Sequence, residues 1–251
     1  MVSMSLEGKV AIVTGGSRGI GEAIAHALAQ HGAKVVVASR KLEGVQAVAD
    51  AIGANAFAVA AHTGREEDCK ALVAKAVEKF GKVDILINNA ATNPYFGPLL
   101  EVSPGAWDKT FEVNLKGYFF MAREVAWHLI GRSAPGSLVS VASVAGVEAA
   151  PLQGVYGMTK AAVVSMTKTL AFELGGSQIR VNAIAPGLVE TRLAAAITSN
   201  DTLVAEMTQR TPLGRYGQPD EIAGAALYLA GDAARFTTGE VLVVDGGFTV
   251  S

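Results

Sequence analysis

Short β-branched runs alternate with longer stretches of helical period along the whole chain. That alternation leaves few solutions other than a parallel sheet with helices packed on both faces. The strand candidates are Lys9–Val13, Lys34–Ala38, Ala56–Ala60, Asp84–Ile87, Leu138–Val141, Arg180–Ala183 and Val241–Val244. They read as nearly continuous apolar runs, as strands covered on both sides should. Helical stretches fall at Gly21–His31, Leu42–Ile52, Glu66–Phe80, Pro104–Ile130, Val155–Leu174 and Pro219–Leu229. Gly32 and Gly81 stand where helices are expected to end, Pro104 and Pro219 where they are expected to begin. No linker, repeat or low-complexity tract divides the 251 residues. The expectation is an α/β chain, one doubly wound domain of seven parallel strands over residues 1–251. The region Leu188–Arg215 breaks the alternation with two apolar clusters, Leu193–Ile197 and Leu203–Met207. It is either a surface excursion or a mobile pair of short helices covering the crevice at the strand ends.

Composition removes several classes of partner. Basic and acidic residues nearly cancel, 21 against 23, and no basic block exists, which argues against nucleic acid. One cysteine, Cys69, excludes an internal disulfide framework and fits a reducing compartment, and four scattered histidines give no metal-ligand spacing. The segment Met1 to Lys9 lacks the pattern of a secretory leader, and no apolar run approaches the roughly 18 to 20 residues that span a bilayer. A cytoplasmic protein with a small-molecule partner is expected, with neither membrane nor metal.

The first strand runs into Thr14-Gly15-Gly16-Ser17-Arg18-Gly19-Ile20-Gly21 and straight into a helix. Gly15 suits a tight turn, Gly19 a close approach of backbone to pyrophosphate, and Gly21 close packing of helix on strand. The helix N-terminus then faces an anion with open N–H groups, as a Rossmann-type dinucleotide site requires. The alternative is glycines that merely turn a corner. At the end of the second strand, where a carboxylate would read a free ribose hydroxyl, stand Ser39, Arg40 and Lys41. A guanidinium there suits a 2′-phosphate, with Arg18 as a second cation, unless Arg40 is an ordinary solvated charge. NADP(H) is therefore preferred, and NAD(H) remains open.

Tyr156 and Lys160 are spaced to share one face of a helix. A free tyrosine has a pKa of about 10, and a neighbouring ammonium stabilises its phenolate. Tyr-x3-Lys alone is a common accident; its company changes the odds. Ser143 follows the fifth strand, where a hydroxyl points into the crevice, and Asn88-Asn89-Ala90 follows the fourth. Asn114 sits mid-helix, a poor position for asparagine unless its amide has a partner, either in a satisfied core or in the site.

Taken together, these residues resemble the short-chain dehydrogenase/reductase family over essentially the whole chain. The shared motifs are Thr-Gly-x3-Gly-x-Gly, Asn-Asn-Ala, Asn114, Ser143, Tyr156, Lys160, Pro186-Gly187 and Asp245-Gly246-Gly247. The resemblance implies that Tyr156 is the general acid in carbonyl reduction and the base in alcohol oxidation. Lys160 would lower its pKa and bind the nicotinamide ribose, Ser143 would polarise the carbonyl, and Asn114 would hold a water serving Lys160. Backbone groups near Pro186, Gly187 and Val189, with the Thr191 hydroxyl, would orient the carboxamide, and the adenosine would rest on Asn89, Ala90 and the end of the third strand. Two departures stand out: His62-Thr63 where the family often has an acidic residue, and Ala91 where it has glycine. Locally, Ala90 to Gly97 with Ser39-Arg40-Lys41 and His62 is similar to the peroxisomal-type NADPH-dependent carbonyl and retinal reductases, although Phe248-Thr249-Val250-Ser251 is no peroxisomal address. The family's usual assembly implies a homotetramer.

The crevice rim is expected to draw Tyr95, Phe96, Val147, Leu152, Leu188 and Leu193 from its loops, with Glu148 a lone solvated charge. A hydrophobic ketone, aldehyde or secondary alcohol fits such a rim better than a sugar phosphate. Three functions stay open: an NADPH-dependent carbonyl reductase, an alcohol or hydroxysteroid dehydrogenase of the same chemistry accepting NAD, and a nucleotide-binding protein without catalysis.

Overall fold

The computed structural model describes residues 3–251. Among them, seven strands form one parallel sheet in the order β3-β2-β1-β4-β5-β6-β7. The strands are β1 (Val10–Thr14), β2 (Lys34–Ser39), β3 (Ala56–Ala60), β4 (Ile85–Asn88), β5 (Gly136–Val141), β6 (Ile179–Pro186) and β7 (Val241–Val244). Every pairing is parallel, from Val35 opposite Ala56 at one edge to Pro186 opposite Val244 at the other. All carboxyl ends therefore open on one rim, and the order reverses between β1 and β4, where ligands settle in such sheets.

The apolar runs are continuous because each strand feeds two cores. Ala11, Val13, Val35, Val37, Ile85 and Ile87 face α1 (Gly19–Gln30), α2 (Leu42–Ile52) and α9 (Pro219–Ala230). The intervening Ile12, Val36 and Leu86 face α3 (Glu66–Phe80), α5 (Gly117–Gly131) and α6 (Gly154–Leu174). Alternation of side chains along a pleated strand produces this sorting. Gly81 ends α3 in the left-handed conformation, and Pro104 and Pro219 open their helices as expected.

The expected helix Pro104–Ile130 is instead two helices joined by one turn of π-helix: α4 (Pro104–Phe111), the π turn Glu112–Lys116, then α5. Such turns insert a residue and often mark functional positions. This one contains Asn114. Strand β6 is longer than expected and carries Pro186 as its last residue. The irregular region resolves into α7 (Ala195–Thr198) and α8 (Asp201–Gln209), the latter capped by Asn200, whose side chain accepts from Thr202 and Leu203 N–H. Neither helix buries a residue. Thr191, just ahead of these helices, approaches the glycine loop at Gly19.

Candidate active site

At the switch point, β1 delivers Thr14 and the glycine loop to the rim. Thr14 Oγ1 accepts from the N–H groups of Asn89 (3.0 Å) and Ala90 (3.2 Å), and Asn89 Nδ2 donates to the carbonyls of Thr14 and Gly15 at 3.0 and 3.1 Å. Asn89, expected beneath the adenosine, thus uses its amide to brace the loop. Gly15 has φ +65° and a Cβ there would stand 2.7 Å from Ala90 Cα, while one on Gly21 would overlap the Gly15 carbonyl and the Asn89 amide. The loop is glycine because backbone meets backbone.

A cleft of about 800 Å³ opens above it. It brings together Gly15, Ser17, Arg18, Gly19, Ile20 and Gly21 of the loop with Ser39, Arg40 and Lys41 after β2, His62 and Thr63 after β3, Asn89 and Ala90 after β4, and Thr191 and Leu193 of the covering segment. Two lining residues that sequence reasoning missed are Arg192 and Glu43. Among the described residues, no salt bridge engages Arg18, Arg40, Lys41 or Arg192. No side chain caps α1, so the N–H groups of its first turn face the cleft. Open donors, uncompensated cations and a glycine floor suit a dinucleotide diphosphate. The His62 ring is engaged by protein groups. Its Nδ1 accepts from Gly64 N–H (3.1 Å), and its Nε2 lies 3.0 Å from Lys109 Nζ and 3.8 Å from Glu112 Oε1.

Asn114, Ser143, Tyr156, Lys160, Pro186, Gly187 and Val189 stand outside that cleft, the first four in a second cluster where β5, the π turn and α6 converge. Asn114 is fully buried, and both ends of its amide are bonded to protein. Thr92 N–H donates to Oδ1 (2.8 Å), and Nδ2 donates to Thr92 O (2.9 Å) and Thr159 Oγ1 (3.3 Å). The Asn114 amide clasps the cleft wall at Thr92 to α6. Ser143 Oγ accepts from Ala145 N–H (3.1 Å) and begins the turn after β5.

Lys160 is 1% exposed and donates to the carbonyl of Val141 (2.6 Å) and to the Tyr118 hydroxyl (3.1 Å). Its ammonium lies 5.5 Å from the Tyr156 ring centroid. Burial alone lowers Lys160 to about 7. Burial also pushes the Tyr156 phenol up to about 12, with the Ser143 hydrogen bond pulling the other way. The sequence reading had Lys160 bringing Tyr156 down. In the chain as it stands the shift is upward, because burial penalises the phenolate.

The residues expected to meet substrate differ in exposure. Val147, Leu152 and Leu193 are exposed, and Phe96 and Leu188 half-buried. Tyr95 turns back, its hydroxyl donating to Pro98 O (2.9 Å), and Gly97 N–H donates to Leu152 O (2.9 Å). Glu148, expected to be solvated, lies 3.7 Å from Arg210, whose guanidinium stacks 4.4 Å from the Phe248 ring centroid. Among the described residues no three His, Cys, Asp or Glu side chains group as a metal site, and no helix is long and apolar enough to cross a membrane.

A family model described as enoyl-(acyl carrier protein) reductase matches residues 15–249. "Dehydrogenase/reductase SDR family member 4" of Oryctolagus cuniculus is 41% identical over 245 residues, covering 96% of this chain and 94% of that protein. Among solved structures, a gluconate 5-dehydrogenase from Burkholderia cenocepacia in complex with NADP and tartrate superposes with a TM-score of 0.94 at 35% identity, covering 99% of this chain and 98% of that one. A 3-ketoacyl-(acyl-carrier-protein) reductase from Brucella melitensis complexed with NADH gives 0.92 at 39%, covering 98% and 100%. Relatives this similar, matched from the glycine loop to the carboxyl end, identify the chain as an oxidoreductase of the short-chain dehydrogenase/reductase family.

Proposed function

We propose that this oxidoreductase is an NADP(H)-dependent carbonyl reductase acting on hydrophobic ketones and aldehydes, and on the matching secondary alcohols in reverse. The observation that carries the reading is the grouping of half-buried Tyr156 and Ser143 with buried Lys160 at the carboxyl end of β5, joined through Asn114 and Thr92 to the wall of the cationic cleft. Hydride for the carbonyl carbon would come from NADPH held by Arg18, Arg40, Lys41 and the first turn of α1. The Ser143 hydroxyl holds the carbonyl oxygen, and Tyr156 gives that oxygen its phenol proton, so the product is the alcohol and the tyrosine is left as phenolate. Lys160 stabilises that phenolate and passes a proton back from solvent. Pro186, Gly187, Val189 and Thr191 would position the carboxamide. Since burial alone leaves Tyr156 near 12, acid–base work near neutrality depends on positive charge beside it, that of Lys160 and of the nicotinamide.

Preference for NADP(H) rests on Arg18, Arg40 and Lys41, free of salt bridges along the cleft. Apolar Val147, Leu152, Leu188 and Leu193 at the rim support the hydrophobic substrate, and local motifs favour the peroxisomal-type reductase branch. Exposed Trp107, Phe119 and Trp127 on α4 and α5, with Phe172 on α6, support a homotetramer; a cytoplasmic location accords with the single buried cysteine. One observation favours the NAD-dependent alcohol or hydroxysteroid dehydrogenase: Glu43 lines the same cleft as Arg40. Following nicotinamide absorbance with ketones, aldehydes and secondary alcohols against both cofactors tests all of this. Faster turnover with NADH, or none with any carbonyl, would overturn the proposal.

A further inference from the structure

Tyr118 belongs to none of the motifs that mark the site, yet it is among the largest fully buried side chains. It follows the π turn on α5. Its hydroxyl donates to Val141 O at 3.0 Å and accepts from Lys160 Nζ at 3.1 Å, while Lys160 donates to the same carbonyl. The ammonium stands 4.8 Å from the Tyr118 ring centroid, nearer than the 5.5 Å to the ring of Tyr156. Asn88 Nδ2 in turn donates to the Tyr118 carbonyl at 2.9 Å, tying α5 to the end of β4. Three elements therefore meet at one amine.

We propose that Tyr118 is a positioning residue for Lys160, its phenol oxygen serving as the second acceptor that fixes where the ammonium rests and helps it remain charged. Resting on the reductase reading only for its kinetic consequence, the assignment itself concerns the free chain. A buried ammonium needs acceptors for its protons, and the structure offers Lys160 two, the Val141 carbonyl and Tyr118. The other titratable groups facing it are Tyr118 on α5 and Tyr156 on α6, both kept protonated by burial, and burial is the one cause acting on Lys160 itself. No carboxylate compensates. Removing the phenol oxygen would leave one carbonyl to hold the charge, so the amine would lose its proton at lower pH. Tyr156 would then lack a neighbouring charge over more of the working range.

The test is Tyr118→Phe in the full chain without cofactor, labelled with 13C at lysine Cε, with Lys160→Met to assign the resonance. The Lys160 titration midpoint should fall by about one pH unit, the scale of one hydrogen bond to a charged group. In alcohol oxidation the rising acid-side limb of kcat, which reports the Tyr156 phenolate, should move to higher pH. An unchanged midpoint in a folded variant overturns the assignment, as does a kinetic profile that only scales down. Should the phenylalanine variant not fold, Tyr118→Met is titrated in its place. In the unmutated chain, absence of a through-space contact between the labelled Cε and the Tyr118 ring also overturns it. If the unmutated chain reduces no carbonyl with either cofactor, the reductase reading fails, whereas the titration still decides the role of Tyr118.

Discussion

The two ends of the crevice are built on opposite plans. Around the glycine loop, Arg18, Arg40, Lys41 and the first turn of α1 present charge and donors free of salt bridges or a cap. At the other end, Asn114, Lys160 and Tyr118 have their hydrogen bonds supplied by Thr92, Thr159 and Val141. An affinity site gains from groups whose partners arrive with the ligand. A chemical site gains from groups held in place beforehand, because a misplaced proton donor loses rate steeply. Substitutions at the open end should therefore change which cofactor binds, and substitutions at the closed end should change rate or stability.

The largest separation is expected from Tyr156→Phe, which should lower kcat by roughly 10²- to 10⁴-fold while fluorescence titration finds cofactor affinity nearly unchanged. An equally active variant would break the comparison. Arg40→Asp should weaken NADPH at least tenfold and NADH much less, measured as Kd for each; equal losses would make Arg40 a surface charge. Asn114→Ala strands the Thr92 N–H and carbonyl, and each unsatisfied buried group costs about 1–3 kcal/mol. Chemical denaturation should report a loss of that order, and a loss confined to kcat would give Asn114 a chemical rather than a structural part.

Acid and base should separate the two buried groups further. Lys160 is lowered to about 7 in the fold against an ordinary value of 10.5, so between those values the unfolded chain binds more protons and stability rises with pH, by at most about 1.4 kcal/mol per unit. Lys160→Met should flatten that rise. Tyr156, raised to about 12 from 10, acts in the opposite sense: above pH 10 the unfolded chain loses its proton first, and stability falls. The smallest effect is expected of Arg210→Ala. Its pair with Glu148 is long and exposed, so stability should change by less than about 1 kcal/mol, and a larger change would mean that the stack on Phe248 carries the segment.

How much of this was legible follows from the range of each interaction. Ala56–Ala60, Leu42–Ile52 and Glu66–Phe80 fall where periodicity puts them, because strand and helix patterns are local. The glycine loop and the Tyr156–Lys160 spacing are local too. What escaped is tertiary. The π turn leaves the apolar period on either side intact, so Pro104–Ile130 reads as one helix. Tyr118 looks like any core aromatic until α5 is laid beside α6. Arg192 enters the cleft only because the covering segment folds over the loop, and Lys160 points at Val141 because a carbonyl at a strand's end is the nearest acceptor to a desolvated amine.

The added residue in Glu112–Lys116 makes the long helix intolerant of a particular error. Deleting one position there would restore ordinary winding and improve the local hydrogen bonding. The turns on either side would keep their phase, because the π turn absorbs the extra residue, but positions within the turn would rotate by up to about 100°, the angle per residue at 3.6 residues per turn. Asn114 and Tyr118 could then no longer both meet their partners. A shortened chain of this kind should fold and yet be mistimed at its reactive end, a defect that scanning by substitution alone would never expose.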